Sequence, residues 1–189
     1  MKYFMSILLA GFSLIPLQAK AGDAPVQQQQ NVAFDNTSYS GIYLRGDIGA
    51  SYLNWGNTTA PWAYVGNAGV GYQFDQNFRT DLTYDWSGNY GVAPSGNLST
   101  SMILGNVYYD WKNQSAFTPY VGVGAGYGWE WGSGSAVNTQ GVAVGLAAGV
   151  AYDMTRNLSL DVGYRFHDIL SSTQQSPEHQ IAAGLRVKF

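Results

Sequence analysis

The stretch Leu158-Ser159-Leu160-Asp161-Val162-Gly163-Tyr164-Arg165-Phe166-His167 decides the fold. Leu158, Leu160, Val162, Tyr164 and Phe166 take every second position, and Ser159, Asp161, Arg165 and His167 fall between them. Side chains alternate faces along a strand, whereas a helix would scatter these charges around its whole surface. The stretch therefore predicts a strand with one apolar face and one charged face. The same alternation recurs in Ile42 to Ile48, where Tyr43, Arg45 and Asp47 oppose Ile42, Leu44 and Ile48. It recurs in Phe78 to Trp86 with Arg79, Asp81 and Asp85 on the charged side, and in Ile181 to Phe189 with Arg186 and Lys188.

Carried along the chain, this reading predicts strands at 41–53, 63–74, 78–87, 98–111, 118–132, 140–153, 157–168 and 178–189. The connections alternate between short turns and longer stretches rich in Asn, Gly, Ser, Thr and Pro, at 54–62, 88–97, 133–139 and 169–177. Short turns at one end and longer loops at the other belong to an all-β, eight-stranded antiparallel up-and-down transmembrane β-barrel. The longer loops are where surface contacts are expected, with Trp62 and Tyr90 as exposed candidates.

Charge distribution selects the solvent. Only 11% of the 189 residues are charged, against roughly 25% in ordinary soluble domains. Arg45, Asp47, Arg79, Asp81, Asp85, Asp110, Glu130, Asp153, Asp161, Arg165, Arg186 and Lys188 all share the inward parity of their strands. Val121, Val123, Val142, Val144, Leu146 and Val150 share the outward one. A lipocalin-like barrel in water would reverse this arrangement. The charged set is expected to form a self-satisfying interior plug, because an eight-stranded barrel is filled by its own side chains. Gly122, Gly124, Gly126, Gly128, Gly141, Gly145 and Gly149 leave one wall low for long side chains opposite. In the strand at 98–111 the charged parity also carries Met102 and Leu104 inward, unless a bulge shifts the phase. Aromatic residues fall near strand ends, as the two girdles at membrane interfaces require.

At the N-terminus, Lys2 precedes an apolar run from Tyr3 to Leu17, followed by Ala19-Lys20-Ala21. This is the layout of a signal peptide over residues 1–21, cleaved between Ala21 and Gly22. The run is shorter than the roughly 20 residues that a spanning helix needs. Residues 22–40, with Gln27 to Gln30, read as a flexible periplasmic leader, and 41–189 as the barrel.

Other chemistries find little support. Nine Lys+Arg and a formal net charge of −3 argue against nucleic-acid binding, and the absence of Cys removes disulfides, thiolate metal sites and a Cys nucleophile. A hydrolytic site would have to be drawn from His167, His179, Ser171, Ser172, Asp168 and Glu178 around the last long loop. No G-x-S-x-G motif accompanies them, and no metal-spaced cluster appears, so no enzyme activity and no cofactor are expected.

Four motifs in order carry a family resemblance: Ser40-Gly41-Ile42-Tyr43-Leu44-Arg45-Gly46, Pro119-Tyr120-Val121-Gly122-Val123-Gly124, Asp161-Val162-Gly163-Tyr164-Arg165-Phe166 and Gly184-Leu185-Arg186-Val187-Lys188-Phe189. They resemble the strands of the small opacity-type, rhizobial porin-like outer-membrane proteins of Gram-negative bacteria. The resemblance implies an outer-membrane location and a role in envelope integrity, adhesion, host interaction or haem binding. It implies neighbours in outer-membrane lipid and lipopolysaccharide, and a terminal Phe189 read by the barrel assembly machinery. Some relatives are joined to peptidoglycan through a small residue followed by Asp, with which Gly22-Asp23 is compatible. The expected protein is a monomeric structural or surface-interaction barrel. The alternatives are a loop-mediated adhesin or haem binder, a small-solute channel and a lipid A-modifying enzyme.

Overall fold

The computed structural model describes residues 40–54, 58–134, 138–170 and 176–189. Among them the strands are β1 (Gly41–Leu53), β2 (Thr58–Ala60), β3 (Trp62–Gln73), β4 (Phe78–Val92), β5 (Gly96–Asp110), β6 (Phe117–Gly134), β7 (Gln140–Asp153), β8 (Leu158–Leu170) and β9 (Glu178–Lys188). Consecutive long strands pair antiparallel, and β9 returns to β1 with Arg186 opposite Arg45 and Ile181 opposite Ala50. The sheet is thus a closed eight-stranded barrel, with the short β2 added against the far end of β4. Closure leaves no long strand with an unpaired edge, the condition for placing a sheet in hydrocarbon.

The short turns are built by their own side chains. Asp75 Oδ1 accepts the backbone N–H groups of Asn77 and Phe78 at 2.7 and 2.8 Å. Thr155 Oγ1 does the same for Asn157 and Leu158, at 3.2 and 3.0 Å. Asn113 Oδ1 accepts from the Ser115 N–H at 2.7 Å. Such side chains replace backbone partners within a few residues, so the chain can reverse at once.

Burial is inverted relative to a protein in water. Ile48 is 77% exposed and Arg79 only 1%. The outward rows carry Leu82, Val107, Val123, Leu146, Val162 and Leu185, and the inward rows hold Asp47, Asp81, Asp85, Arg165 and Arg186. Aromatic rings meet edge-on at both ends. At the turn end, Phe78 lies 5.1 Å from Tyr109, and Tyr109 5.1 Å from Trp111. At the loop end, Tyr52 lies 5.2 Å from Trp62, and Trp129 5.9 Å from Trp131. Rings with an apolar body and a polar edge suit the boundary between lipid and water.

The wall departs from expectation at the loop end. Residues 88–97 form mostly strand: β4 runs to Val92 and β5 starts at Gly96. The pairing slips between Ser87 and Tyr90, where Asn89 adopts a positive φ of 67°. That irregularity lies on β4, while the β5–β6 register continues unbroken from Gly96 to Asp110. Met102 and Leu104 consequently face inward with no phase shift on their own strand, packed with Ala143 and Ile169. Tyr90, expected as an exposed loop contact, is instead fully buried beside Leu53, Val92 and Leu98. The slip turns its ring into the barrel mouth, where apolar packing outweighs exposure. Within 54–62, Thr58 to Ala60 form β2 rather than open loop.

Candidate functional site

The densest chemistry of the molecule is its interior. At its centre, Arg45 donates through Nε and Nη2 to Asp47 Oδ2 at 3.1 and 2.9 Å, and through Nη1 to Asp81 Oδ2 at 3.1 Å. Arg165 reaches the same Asp47 oxygen from β8 at 2.8 Å and approaches Asp85 at 4.0 Å. Neutral groups complete the set. The Tyr43 hydroxyl donates to Asp81 at 3.0 Å, Asn106 Nδ2 to Asp81 at 2.8 Å, and Thr83 and Asn67 to Asp85 at 2.7 and 3.1 Å. A void large enough for about one water lies beside Asn67, Asp85, Arg165 and His167.

Toward the turn end, Arg79 donates through Nε to both oxygens of Asp110 at 3.1 Å. Its guanidinium lies between two rings, 3.9 Å from the Tyr108 centroid and 4.9 Å from that of Tyr120. Arg186 meets Asp161 at 3.4 Å and lies 5.6 Å from the Tyr43 ring. Lys112 closes this end on Asp153 at 2.8 Å, and Asp153 also accepts from Ser159 at 2.6 Å. Buried ion pairs are stabilised when hydrogen bonds occupy the remaining polar positions; Tyr43, Asn106 and Thr83 supply them to Asp81 and Asp85 at the centre, whereas toward the turns Arg79 Nη1 and Nη2 close no hydrogen bond.

Glycine makes the filling geometrically possible. A Cβ on Gly149 or Gly163 would come 2.6 or 2.5 Å from the Tyr120 hydroxyl, and one on Gly122 would enter the Tyr108 ring. The low wall on β6 and β7 is therefore occupied by Tyr108 and Tyr120 from the neighbouring strands β5 and β6, not by long side chains from the opposite wall as expected.

A second polar cluster lies near the loop end around Glu178. Its Oε1 accepts from Ser51 at 2.7 Å, Tyr90 at 3.0 Å, Gln180 at 2.8 Å and Ser87, and its Oε2 from Thr100 at 3.0 Å. Ser51 and Tyr90 also bond each other. Sequence reasoning took Glu178 only as a loop acid. The signal was present, since Glu178 and Gln180 share the inward parity of Arg186 on the last strand.

The interior set named from sequence occupies three levels. Arg45, Asp47, Asp81, Asp85 and Arg165 meet at the centre, and Arg79 with Asp110 and Arg186 with Asp161 sit toward the turns. Glu130 stands apart near the loop end, buried beside the Thr139 and Ser176 hydroxyls. Asp153 and Lys188 are inward but only half-buried. Phe189 is 74% exposed on the outer surface, its N–H bonded to the Ile42 carbonyl at 3.0 Å.

Among the described residues, those weighed for hydrolysis do not converge. His167 is buried inside the barrel, while His179 faces outward among Tyr52 and Phe166 and contacts the Tyr164 hydroxyl at 2.6 Å. Asp168 accepts the Ser176 backbone N–H at 3.1 Å. Ser171 and Ser172 lie outside the described residues, as do Ala21, Gly22, the signal segment and nearly all of the leader.

Comparison with known proteins agrees with this architecture. An uncharacterised protein of Brucella abortus is 25% identical, with 86% of this chain and 80% of that protein covered. The crystal structure of Neisserial surface protein A superposes with a TM-score of 0.68 at 24% identity, covering 79% of this chain and 98% of that one. Ail, the attachment invasion locus protein of Yersinia pestis, was crystallised with the heparin analogue sucrose octasulfate. It gives a TM-score of 0.58 at 13% identity, covering 80% of this chain and all of Ail. The profile of the outer membrane protein beta-barrel domain matches residues 7–189, and with its closed barrel, lipid-facing apolar rows and charged interior the chain belongs to that family.

Proposed function

We propose that this protein is a monomeric, structural barrel of the Gram-negative outer membrane, supporting the envelope rather than transporting a solute or carrying out catalysis. The observation that carries the reading is the filled interior, where Arg45, Asp47, Asp81 and Arg165 bridge three different strands across the lumen. Moving a solute through it would require several buried ion pairs to part together, each costing about 3–5 kcal/mol when left unpaired. The surface loops support the same reading. Residues 54–62, 88–97, 133–139 and 169–177 contain no Lys, Arg, Asp or Glu. A sulfated polyanion such as the one held by Ail needs cations, so capture of that ligand class is disfavoured here.

Lipid and lipopolysaccharide are the proposed neighbours of the outward rows, and the exposed Phe189 the feature read during assembly. The decisive experiment is a clean deletion, with envelope-stress reporters and host-ligand binding measured side by side. The structural reading expects raised envelope stress and unchanged ligand binding. Lost binding that is abolished equally by exchanging the tips of the long loops, with gel migration of the barrel unaltered, would replace it with an adhesin.

A further inference from the structure

Asp47 is met directly by two guanidinium groups, whereas the neighbouring carboxylate of Asp85 is not. Arg165 donates through Nη2 to Asp47 at 2.8 Å, but its Nη1 stops 4.0 Å from Asp85 Oδ1 and closes no hydrogen bond among the described residues. Two more buried atoms around this gap share that condition, Asn67 Oδ1 and His167 Nδ1. Asn67 Nδ2 donates to Asp85 Oδ1 at 3.1 Å, which holds the amide beside the carboxylate. Arg165 and His167 are 6% and 4% exposed, too deep for bulk solvent to serve them. Asn67 comes from β3, Asp85 from β4, and Arg165 and His167 from β8, and all four line the water-sized void in the interior. Gly145 keeps the wall open beneath the imidazole, since a Cβ there would stand 3.0 Å from His167 Cδ2. A separation of 4.0 Å is too long for a direct hydrogen bond and lies within reach of one bridging molecule.

We infer that Asn67, Asp85, Arg165 and His167 form a binding site for a single structural water, which accepts from Arg165 Nη1 and His167 Nδ1 and donates to Asp85 and Asn67 Oδ1. Two donors and two acceptors match the hydrogen-bonding capacity of one water, and a polar void of that size retains it. The same lining disfavours an ion: a cation would face the Arg165 guanidinium, and an anion the Asp85 carboxylate. The bridge completes the Asp85–Arg165 pair and ties β8 to β3 and β4 beside the Asp47 contact. It also selects the His167 tautomer. Were Nδ1 an acceptor, the water could not serve Asp85, Asn67 and His167 with its two protons. The site does not rest on the envelope role. The ion pairs at Asp47 form without the bridge, so its failure would leave the closed interior and the proposed function standing.

Histidine provides the readout. The chain holds two, His167 inside the barrel and His179 outside, so isotope-labelled histidine in an otherwise deuterated chain gives two ring systems, which His167→Gln assigns. NMR of the folded barrel in detergent micelles is expected to show the His167 proton on Nδ1, and direct cross-relaxation between its Cε1 proton and a long-lived water. Asn67→Leu removes one acceptor and places an apolar side chain against the void, so the water cross-peak should be lost. Asp75→Asn, in a turn, should leave it unchanged. Heat-modifiable gel migration verifies that each variant is folded. Should Asn67→Leu not fold, the tautomer and the water contact of the wild-type chain decide by themselves. A bare Nδ1 with the proton on Nε2, no water contact at His167, or a contact undiminished in folded Asn67→Leu overturns the site.

Discussion

Asp47 is the residue on which most of the interior converges. One of its oxygens accepts from Arg45 on its own strand and from Arg165 on β8. Asp47→Ala would leave two buried guanidinium groups short of an acceptor, so a loss of about 3–5 kcal/mol is expected in urea unfolding of the refolded barrel. Asp47→Asn keeps an acceptor of the same shape and should cost less. The alternation of β1 was enough to turn Asp47 inward, but its meeting with Arg165 was not legible. The two residues are 118 positions apart, and only the closure of the sheet brings β8 across the lumen. Gly122 makes a complementary case. Its missing side chain admits the Tyr108 ring, so Gly122→Ala overpacks the lumen, and a cost of about 1–3 kcal/mol is expected. Tyr108→Leu in the same chain should recover part of that loss. No recovery in the double variant would mean that the ring and the glycine are not coupled.

For the strands, parity governs the outcome of substitution. Leu146 is outward at the middle of β7, opposite Val123, and 57% exposed to lipid. Leu146→Arg should destabilise the folded barrel in vesicles by about 2–4 kcal/mol, whereas Leu170→Arg, at the loop end of β8, should cost about 0–1 kcal/mol. Equal costs at the two positions would contradict the depth assigned to them. Every long strand could be read from alternation, because one side-chain face meets lipid and the other the lumen for its whole length. The extension of β4 beyond Ser87 could not. The register slip at Asn89 reverses the parity that the eye follows, and Gly, Asn, Pro and Ser in 88–97 carry the composition of a loop. Tyr90 shows the consequence: a residue placed at the surface by composition forms a buried cap with Leu53, Val92 and Leu98. Tyr90→Ala should cost about 3–5 kcal/mol, as for other buried aromatic truncations, and loosen the mouth in hydrogen exchange of β4 and β5.

The barrel as a unit should behave as a closed body. In planar bilayers, the wild-type chain is expected to give no sustained discrete conductance. Arg79→Ala, which removes the guanidinium between Tyr108 and Tyr120, is the substitution expected to admit brief openings. Steady single-channel steps from the wild-type chain would refute the closed interior. Unboiled and boiled samples should migrate differently on a denaturing gel, since the closed hydrogen-bonded sheet resists detergent until heated. Composition and period were sufficient to determine the solvent, the number of spanning strands and the face on which the strand charges lie, Glu178 excepted. These are local properties, dictated by the alternation of side chains and by the cost of charge in hydrocarbon. The tertiary structure alone decided which charges meet, that Glu178 gathers five donors, and that Tyr90 seals the mouth. Those outcomes depend on cross-barrel register and on one slip in β4, and a period of two residues carries no information about either.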